Sequence, residues 1–253
     1  MYFGVAILLF ILYNDNIYYL ARVKRMSKYT TVLFDADATL FDFKRSEHDA
    51  VIDCLEFAGL PTTEDVVEKY SEINDGYWKK LERGEVTKAE LFVARWKDTV
   101  DFYGFDFDAQ IIADKYPERL AERGYLIDGA EEICRKLCGK FRLFIVTNGF
   151  AKVQHGRFDK SPIRKYFDDM FISEEVGAEK PSLEYFEKVF ARIPDFDREK
   201  TIIIGDSLTS DIKGGIAAKI DTCWYNPKGK AAPENMKITY TVTDLSEIEN
   251  ILL

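Results

Sequence analysis

Two aspartates stand two residues apart in Phe34-Asp35-Ala36-Asp37-Ala38-Thr39-Leu40, directly after an apolar run. Carboxylates this close repel, so one takes a proton or a cation joins them. Magnesium, a hard cation that prefers oxygen ligands, is the natural partner. A plain acidic turn would also give this string. A second pair has the same grammar: Ile204-Gly205-Asp206, then Asp211 where a helical pattern begins. Asp211 could serve there as an N-terminal helix acid, whereas Asp206, straight after Gly205, is harder to assign to a turn. Between the pairs lie Ile145-Val146-Thr147-Asn148-Gly149 and Glu179-Lys180-Pro181-Ser182. A hydroxyl and an amide at a strand end can donate to phosphate oxygens, and Gly149 permits close backbone approach. Lys180 is either a solvated surface residue or a cation that complements the carboxylates. Ser182 is placed to cap the following helix. Acids, a metal, hydrogen-bond donors and one cation are what phosphoryl chemistry uses.

Four separate segments must be brought together for this. Residues 30–34, 143–146 and 201–204 are short β-rich apolar runs that read as buried parallel strands, and 170–172 and 222–225 are weaker ones. Residues 129–137, 183–190 and 211–218 carry apolar residues at helical spacing. This alternation predicts an α/β fold with a doubly wound, Rossmann-like parallel sheet. Ligands of such sheets bind beyond the carboxyl ends of the strands, where Asp35, Thr147 and Asp206 fall. Residues 44–124 break the alternation and look helical throughout. Val51, Cys54, Leu55 and Ala58 share a face, Thr87 with Glu90 makes a capping box, and Gly59 to Pro61 and Gly104 punctuate the segment. The expected organisation is a core from residues 26–43 and 125–253 with an inserted all-helical cap at 44–124.

The order of acid pair, Thr/Asn, Lys and acid pair, each near a strand end, resembles the haloacid dehalogenase (HAD) superfamily of phosphohydrolases. The resemblance implies that Asp35 attacks phosphorus to form an aspartyl-phosphate. Asp37 would protonate the leaving oxygen and then activate water. Magnesium would be held by the Asp35 carboxylate, the Asp37 main-chain carbonyl and Asp206, with Asp211 in or beside that shell. Thr147, the Asn148 backbone and Lys180 would hold the phosphoryl oxygens. Superfamily members that cleave carbon–halogen bonds lack the second aspartate of the first motif, so Asp37 argues for a phosphatase. Ala38 departs from the usual glycine; alanine is small, and the loop is expected to persist.

Longer strings are similar to the YjjG-type pyrimidine 5'-nucleotidases: Phe34 to Asp37, Thr147 to Phe150, Ile172 to Gly177 and Thr222 to Trp224, with Gln154 and Arg157. In the cap the likeness includes Asn74, Trp78, Gly84, Leu91 and Arg95. It implies a small phosphomonoester substrate, a nucleoside monophosphate. Phe41, Phe43, Asn74, Trp78 and Arg95 are then candidates for base and sugar contacts, since aromatic faces stack on bases; core packing competes as an explanation for each. The alternatives are a phosphatase for a small sugar phosphate or phosphoglycolate, a phosphomutase, and a non-catalytic binding protein.

The 253 residues carry a net charge of -9, which disfavours a nucleic-acid polymer as partner. Four cysteines without CxxC spacing suit a reduced, cytoplasmic protein. Cys134 and Cys138, four apart, are expected on one helix face as buried small hydrophobes. Only His48 and His155 are available, too few for a zinc site or a well-supplied Ser-His-Asp triad. The apolar run at residues 2–13 is shorter than the about 20 residues a bilayer needs. Its basic cluster, Arg22, Lys24 and Arg25, lies on the wrong side for a secretory signal. No membrane is expected, and Met26 is the expected natural start, with a docked helix or an anchor as alternatives for residues 1–25. A monomer and a homodimer are equally compatible with the chain.

Overall fold

The computed structural model describes residues 27–253. The apolar run at 2–13 and the Met26 start lie outside the described residues. Six strands form one parallel sheet: β1 Thr31–Phe34, β2 Arg142–Thr147, β3 Asp169–Ile172, β4 Thr201–Gly205, β5 Asp221–Tyr225 and β6 Tyr240–Val242. Their order is β3-β2-β1-β4-β5-β6, so β1 lies inside the sheet and the chain winds outward on both sides of it. This is the expected doubly wound α/β core. Strand β6 has no counterpart in the sequence reading, because Tyr240-Thr241-Val242 carries no apolar run.

Register decides where the site is. Phe34 pairs with Ile145 on one side and Ile204 on the other. The residues after β1 and β4, and the last residue of β2, therefore emerge at one edge. Both faces of the sheet are covered, which is why the central strands β1, β2 and β4 read as near-continuous apolar runs, at residues 32–34, 143–146 and 202–204. Val32, Phe34, Ile202 and Ile204 pack on the helices α5 (Ala130–Leu137) and α10 (Ile248–Leu252). Leu33, Val146 and Ile203 face α8 (Leu183–Phe190), whose Tyr185, Phe186 and Val189 are fully buried. Ser182 caps α8 as expected, its side chain accepting from Tyr185 N.

The cap consists of α1 (Phe43–Ala58), α2 (Glu64–Glu82), α3 (Lys88–Tyr103) and α4 (Ala109–Ala121). It has its own apolar cluster, with Val51, Cys54, Leu55, Tyr70, Trp96, Ile112 and Tyr116. The Tyr70 and Trp96 rings lie 4.1 Å apart at its centre. The Thr87–Glu90 capping box forms at the start of α3. Helix α6 (Ala151–Phe158) and the short α7 (Ser173–Val176) follow β2 and β3.

Two expectations need correction. Helix α5 ends at Leu137, so Cys134 is buried but Cys138 lies past the helix end and is exposed; the two do not share a buried face. The helix expected at 211–218 starts earlier, in a wide π-type turn over Leu208–Ile212 that runs into α9 (Lys213–Ala217). That turn folds Asp211 inward instead of leaving it as a solvated end acid; its side chain is fully buried. Among the described residues, no helix is long and apolar enough to cross a membrane.

Candidate active site

Beyond the strand ends lies a cavity of about 250 Å³, lined from the core by Asp35, Asp37, Thr147, Asn148, Lys180, Asp206 and Asp211. Asp35 is the first residue past β1, and its N–H still donates to Ile204 O at 2.9 Å. Thr39 ties the two acidic loops together. Its hydroxyl donates to Asp35 Oδ2 (3.3 Å) and accepts from Asp206 N (3.1 Å). The loop between them places Ala38 at φ 60°, in the left-handed region. The expected loop thus persists with alanine, at a cost of about 1 kcal/mol that glycine would avoid.

Lys180 is buried at the centre of the site. Its ammonium donates to Asp35 Oδ1 (2.7 Å), Asp211 Oδ1 (2.6 Å) and Val146 O (2.7 Å). Burial alone would lower its pKa, but the Asp211 and Asp35 carboxylates outweigh that and raise it. Lys180 remains charged, and its three protons are directed to groups within the protein. Asn148 fixes it there: the side-chain amide donates to Lys180 O (2.8 Å) and accepts from Lys180 N (2.9 Å). Thr147 Oγ1 accepts from Gly149 N at 3.1 Å, closing the turn after β2.

One ammonium does not balance the acids. Asp35, Asp206 and Asp211 each bring a carboxylate oxygen within 4.8 Å of the others. Burial, then Asp211, push the Asp35 carboxyl up to about 7 despite Lys180. Burial and the same two neighbours, Asp35 and Asp211, hold Asp206 well above the usual range. A clustered, under-compensated set of oxygen donors is what a hard divalent cation requires, so the residues present fit magnesium. The Asp206 carbonyl is held by Trp224 Nε1 (2.8 Å), which gives the Thr222-Cys223-Trp224 string a physical task.

Asp37 faces the same cavity but not the acidic cluster. Its oxygens accept from Gln154 Nε2 (2.7 Å) and Arg157 Nη2 (2.6 Å).

The cap candidates divide. Phe43 and Trp78 are half-buried and line the cavity, together with Asp75 and Glu82. Arg95 lines a smaller adjoining cavity bounded by Phe43, Trp78, Tyr116 and Phe150. Phe41 and Asn74 are fully buried and line neither cavity. Phe41 packs in the core cluster under the sheet. Asn74 Nδ2 donates to Glu47 Oε1 (2.6 Å), and its Oδ1 accepts from Arg95 Nη1 (2.8 Å). Both are thus interior residues, not contacts for a ligand. Sequence reasoning passed over Thr39, Glu47, Asp75 and Glu82, and only Thr39 carried a cue, as part of the first acidic string. Polar ties between cap and core include Lys88 Nζ to Ser173 Oγ (2.8 Å) and Thr209 Oγ1 to Glu82 Oε2 (2.8 Å).

A doubly wound parallel sheet, a helical insertion after its first strand and this acid–lysine constellation define a hydrolase of the HAD type. The chain belongs to that family: residues 29–219 match the haloacid dehalogenase-like hydrolases. It is 41% identical over 227 residues to the Bacillus subtilis protein named "Putative HAD-hydrolase YfnB", covering 90% of this chain and 97% of that one. The crystal structure of YfnB bound to magnesium, which is said to reveal interdomain movement, has a TM-score of 0.85 and covers 89% of this chain and 99% of that one. The pyrimidine 5'-nucleotidase PynA of Streptococcus pneumoniae is 35% identical, over 88% of this chain and 95% of its own. For YjjG of Escherichia coli the figures are 31%, 89% and 98%. The YjjG-type likeness is therefore present, but the likeness to YfnB is higher.

Proposed function

We propose that this protein is a magnesium-dependent phosphomonoesterase with Asp35 as nucleophile and Asp37 as acid–base, and that it acts on nucleoside 5'-monophosphates with a pyrimidine base. The observation that carries the phosphatase reading is Asp37, a second carboxylate on the same cavity two residues beyond the nucleophile. An Asp35 oxygen attacks phosphorus as the bond to the leaving oxygen breaks. The leaving oxygen takes the electron pair, and a proton from Asp37. Water then attacks the aspartyl-phosphate, gives a proton to Asp37, and the Asp35 carboxylate departs.

Asp35, Asp206 and the Asp37 main-chain carbonyl, with Asp211 beside them, would hold magnesium, which would supply charge compensation for the phosphoryl group. Lys180 neutralises part of the cluster, and it joins Thr147 and the Asn148 backbone in holding the phosphoryl oxygens by turning one proton from the Asp35 carboxylate to the substrate. In this reading the cap is a lid that gates entry and excludes water. Three things support the nucleotide assignment: the likeness to the pyrimidine 5'-nucleotidases PynA and YjjG, the aromatic Phe43 and Trp78 on the cavity wall, and Arg95 in the adjoining cavity.

Phosphate release should be measured with magnesium on uridine, thymidine, cytidine and adenosine 5'-monophosphates, ribose 5-phosphate and phosphoglycolate. A kcat/KM on pyrimidine nucleotides about 10-fold or more above the sugar and glycolate esters is expected, the range one set of base contacts supplies. Equal values across the panel defeat the nucleotide assignment, and no release from any ester defeats the phosphatase reading.

A further inference from the structure

Asp37 is half-exposed, yet two interior side chains are devoted to it. Gln154 and Arg157 are each 1% exposed, and they sit three residues apart on one face of α6. Each gives one donor to one Asp37 oxygen, and Arg157 Nη2 also donates to Gln154 Oε1 at 3.1 Å. Large polar side chains are seldom buried unless paired. Among the described residues, the ion-pair partner of Arg157 is Asp37, while Nε and Nη1 of the same guanidinium have no partner. The turn after β2 is shaped for this reach. A Cβ at Gly149 would lie 2.1 Å from Gln154 Nε2, so a side chain there would block the amide on its way to Asp37.

Helix α6 belongs to the core by connectivity and to the cap by packing. Its Val153, and Phe150 just before it, sit in the apolar cluster of the cap. Lys152 pairs with Glu118 of α4 at 3.1 Å. A Cβ at Gly156 would lie 2.6 Å from Ala121 Cβ, the last residue of α4. Its first turn is held by the core, where Ala151 N donates to Glu174 Oε2 at 2.6 Å.

We propose that Gln154 and Arg157 are positioning residues that fix the Asp37 carboxylate, and that the seat of α6 against the end of the cap sets where it is fixed. The proposal rests on the phosphatase reading and on the roles given to Asp35 and Asp37 there. Two half-reactions need Asp37 in place: protonation of an alkoxide leaving group, and deprotonation of the water that releases phosphate. Departure of nitrophenolate from p-nitrophenyl phosphate needs no proton. A loosened Asp37 therefore spares one step and slows two.

The test is pre-steady-state and steady-state kinetics of Gln154→Ala with magnesium, on p-nitrophenyl phosphate and on uridine 5'-monophosphate. On the nitrophenyl ester, a burst approaching one equivalent per enzyme should form within about threefold of the wild-type rate. Turnover should then run about 10-fold or more slower than wild type, at the low end of what acid–base catalysis supplies. On the nucleotide, uridine release should slow by a similar factor without a burst. Gly156→Ala, remote from the reacting atoms, should give the same split at about threefold. A burst slowed as much as turnover, or rates within twofold of wild type on both esters, overturns the proposal for Gln154 and Arg157. Wild-type kinetics for Gly156→Ala overturn the part assigned to the seat of α6. A wild-type protein inactive on both esters overturns the phosphatase reading, and this proposal with it.

Discussion

At the strand ends, polar groups from different segments of the chain meet one another: Thr39 joins Asp35 to Asp206, Lys180 joins Asp35 to Asp211, and Asn148 clasps the Lys180 backbone. In the cap, the buried polar groups meet mainly their own kind. Glu47 accepts from Ser71 and Asn74, and Asn74 accepts from Arg95. The first arrangement concentrates charge that the protein alone does not neutralise. The second links its charged members, Glu47 and Arg95, through Asn74, and the cap turns side chains such as Phe43, Trp78 and Arg95 to the cavities. On the function proposed above, reactivity and recognition are thus built differently. One comes from deliberate imbalance around fixed strand ends, the other from the rim of a packed helical unit.

That contrast can be broken in order of expected effect. Asp35→Asn should reduce turnover by about 10⁴-fold or more, as removal of a nucleophile does, while circular dichroism and Tm stay near wild type. Retained activity would remove the chemical half of the contrast. Magnesium should raise the Tm of the wild type, by the equivalent of about 2.7 kcal/mol at 100 times its Kd. Asp206→Asn should lose most of that gain in differential scanning fluorimetry, and an undiminished shift would place the ion elsewhere.

The two α2 residues test the other side. Asn74→Ala should cost about 2 kcal/mol in urea melts by stripping partners from Glu47 and Arg95, with kcat/KM within about threefold of wild type. Trp78→Ala should do the reverse, raising KM by about 10-fold for loss of a stacking surface with little change in stability. If both variants behave alike, the division between interior and rim is wrong.

The smallest effect concerns Glu47. Burial raises its pKa against the opposing hydrogen bonds from Ser71 and Asn74. The protonated form is therefore favoured in the folded state. Its contribution is present at acid pH and is lost as pH rises through the folded pKa. Glu47→Gln should flatten that dependence, so that its stability relative to wild type is higher at pH 8 than at pH 5, read from urea melts at the two values.

Much of the core was legible because chemistry and strand grammar coincide there. An apolar run that stops in an acid marks both a buried strand and a strand-end site, and β1, β2 and β4 match the expected runs to within one residue at each end. Strand β6 was not legible: it is three residues long, and its Thr241 is exposed. In the cap, helices and their caps could be read, but not the destination of each face. Asn74 and Trp78 are four apart on the same side of α2, yet one points into the interior network and the other reaches the cavity. Periodicity tells which face is covered, not what covers it. Gln154 and Arg157 stood out by resemblance, but their tie to Asp37 could not be read, since they lie 117 and 120 residues further along the chain.

The cap also brings Asp75 and Glu82 to the mouth of the cavity, on a protein already at -9. A phosphate dianion approaching this opening is repelled before it is bound. The reach of that repulsion shrinks with added electrolyte, to about 10 Å at 0.1 M. Capture should therefore quicken as ionic strength rises, the opposite of enzymes whose fields draw their ligands in. Such a mouth favours ligands that bring more than charge to the encounter.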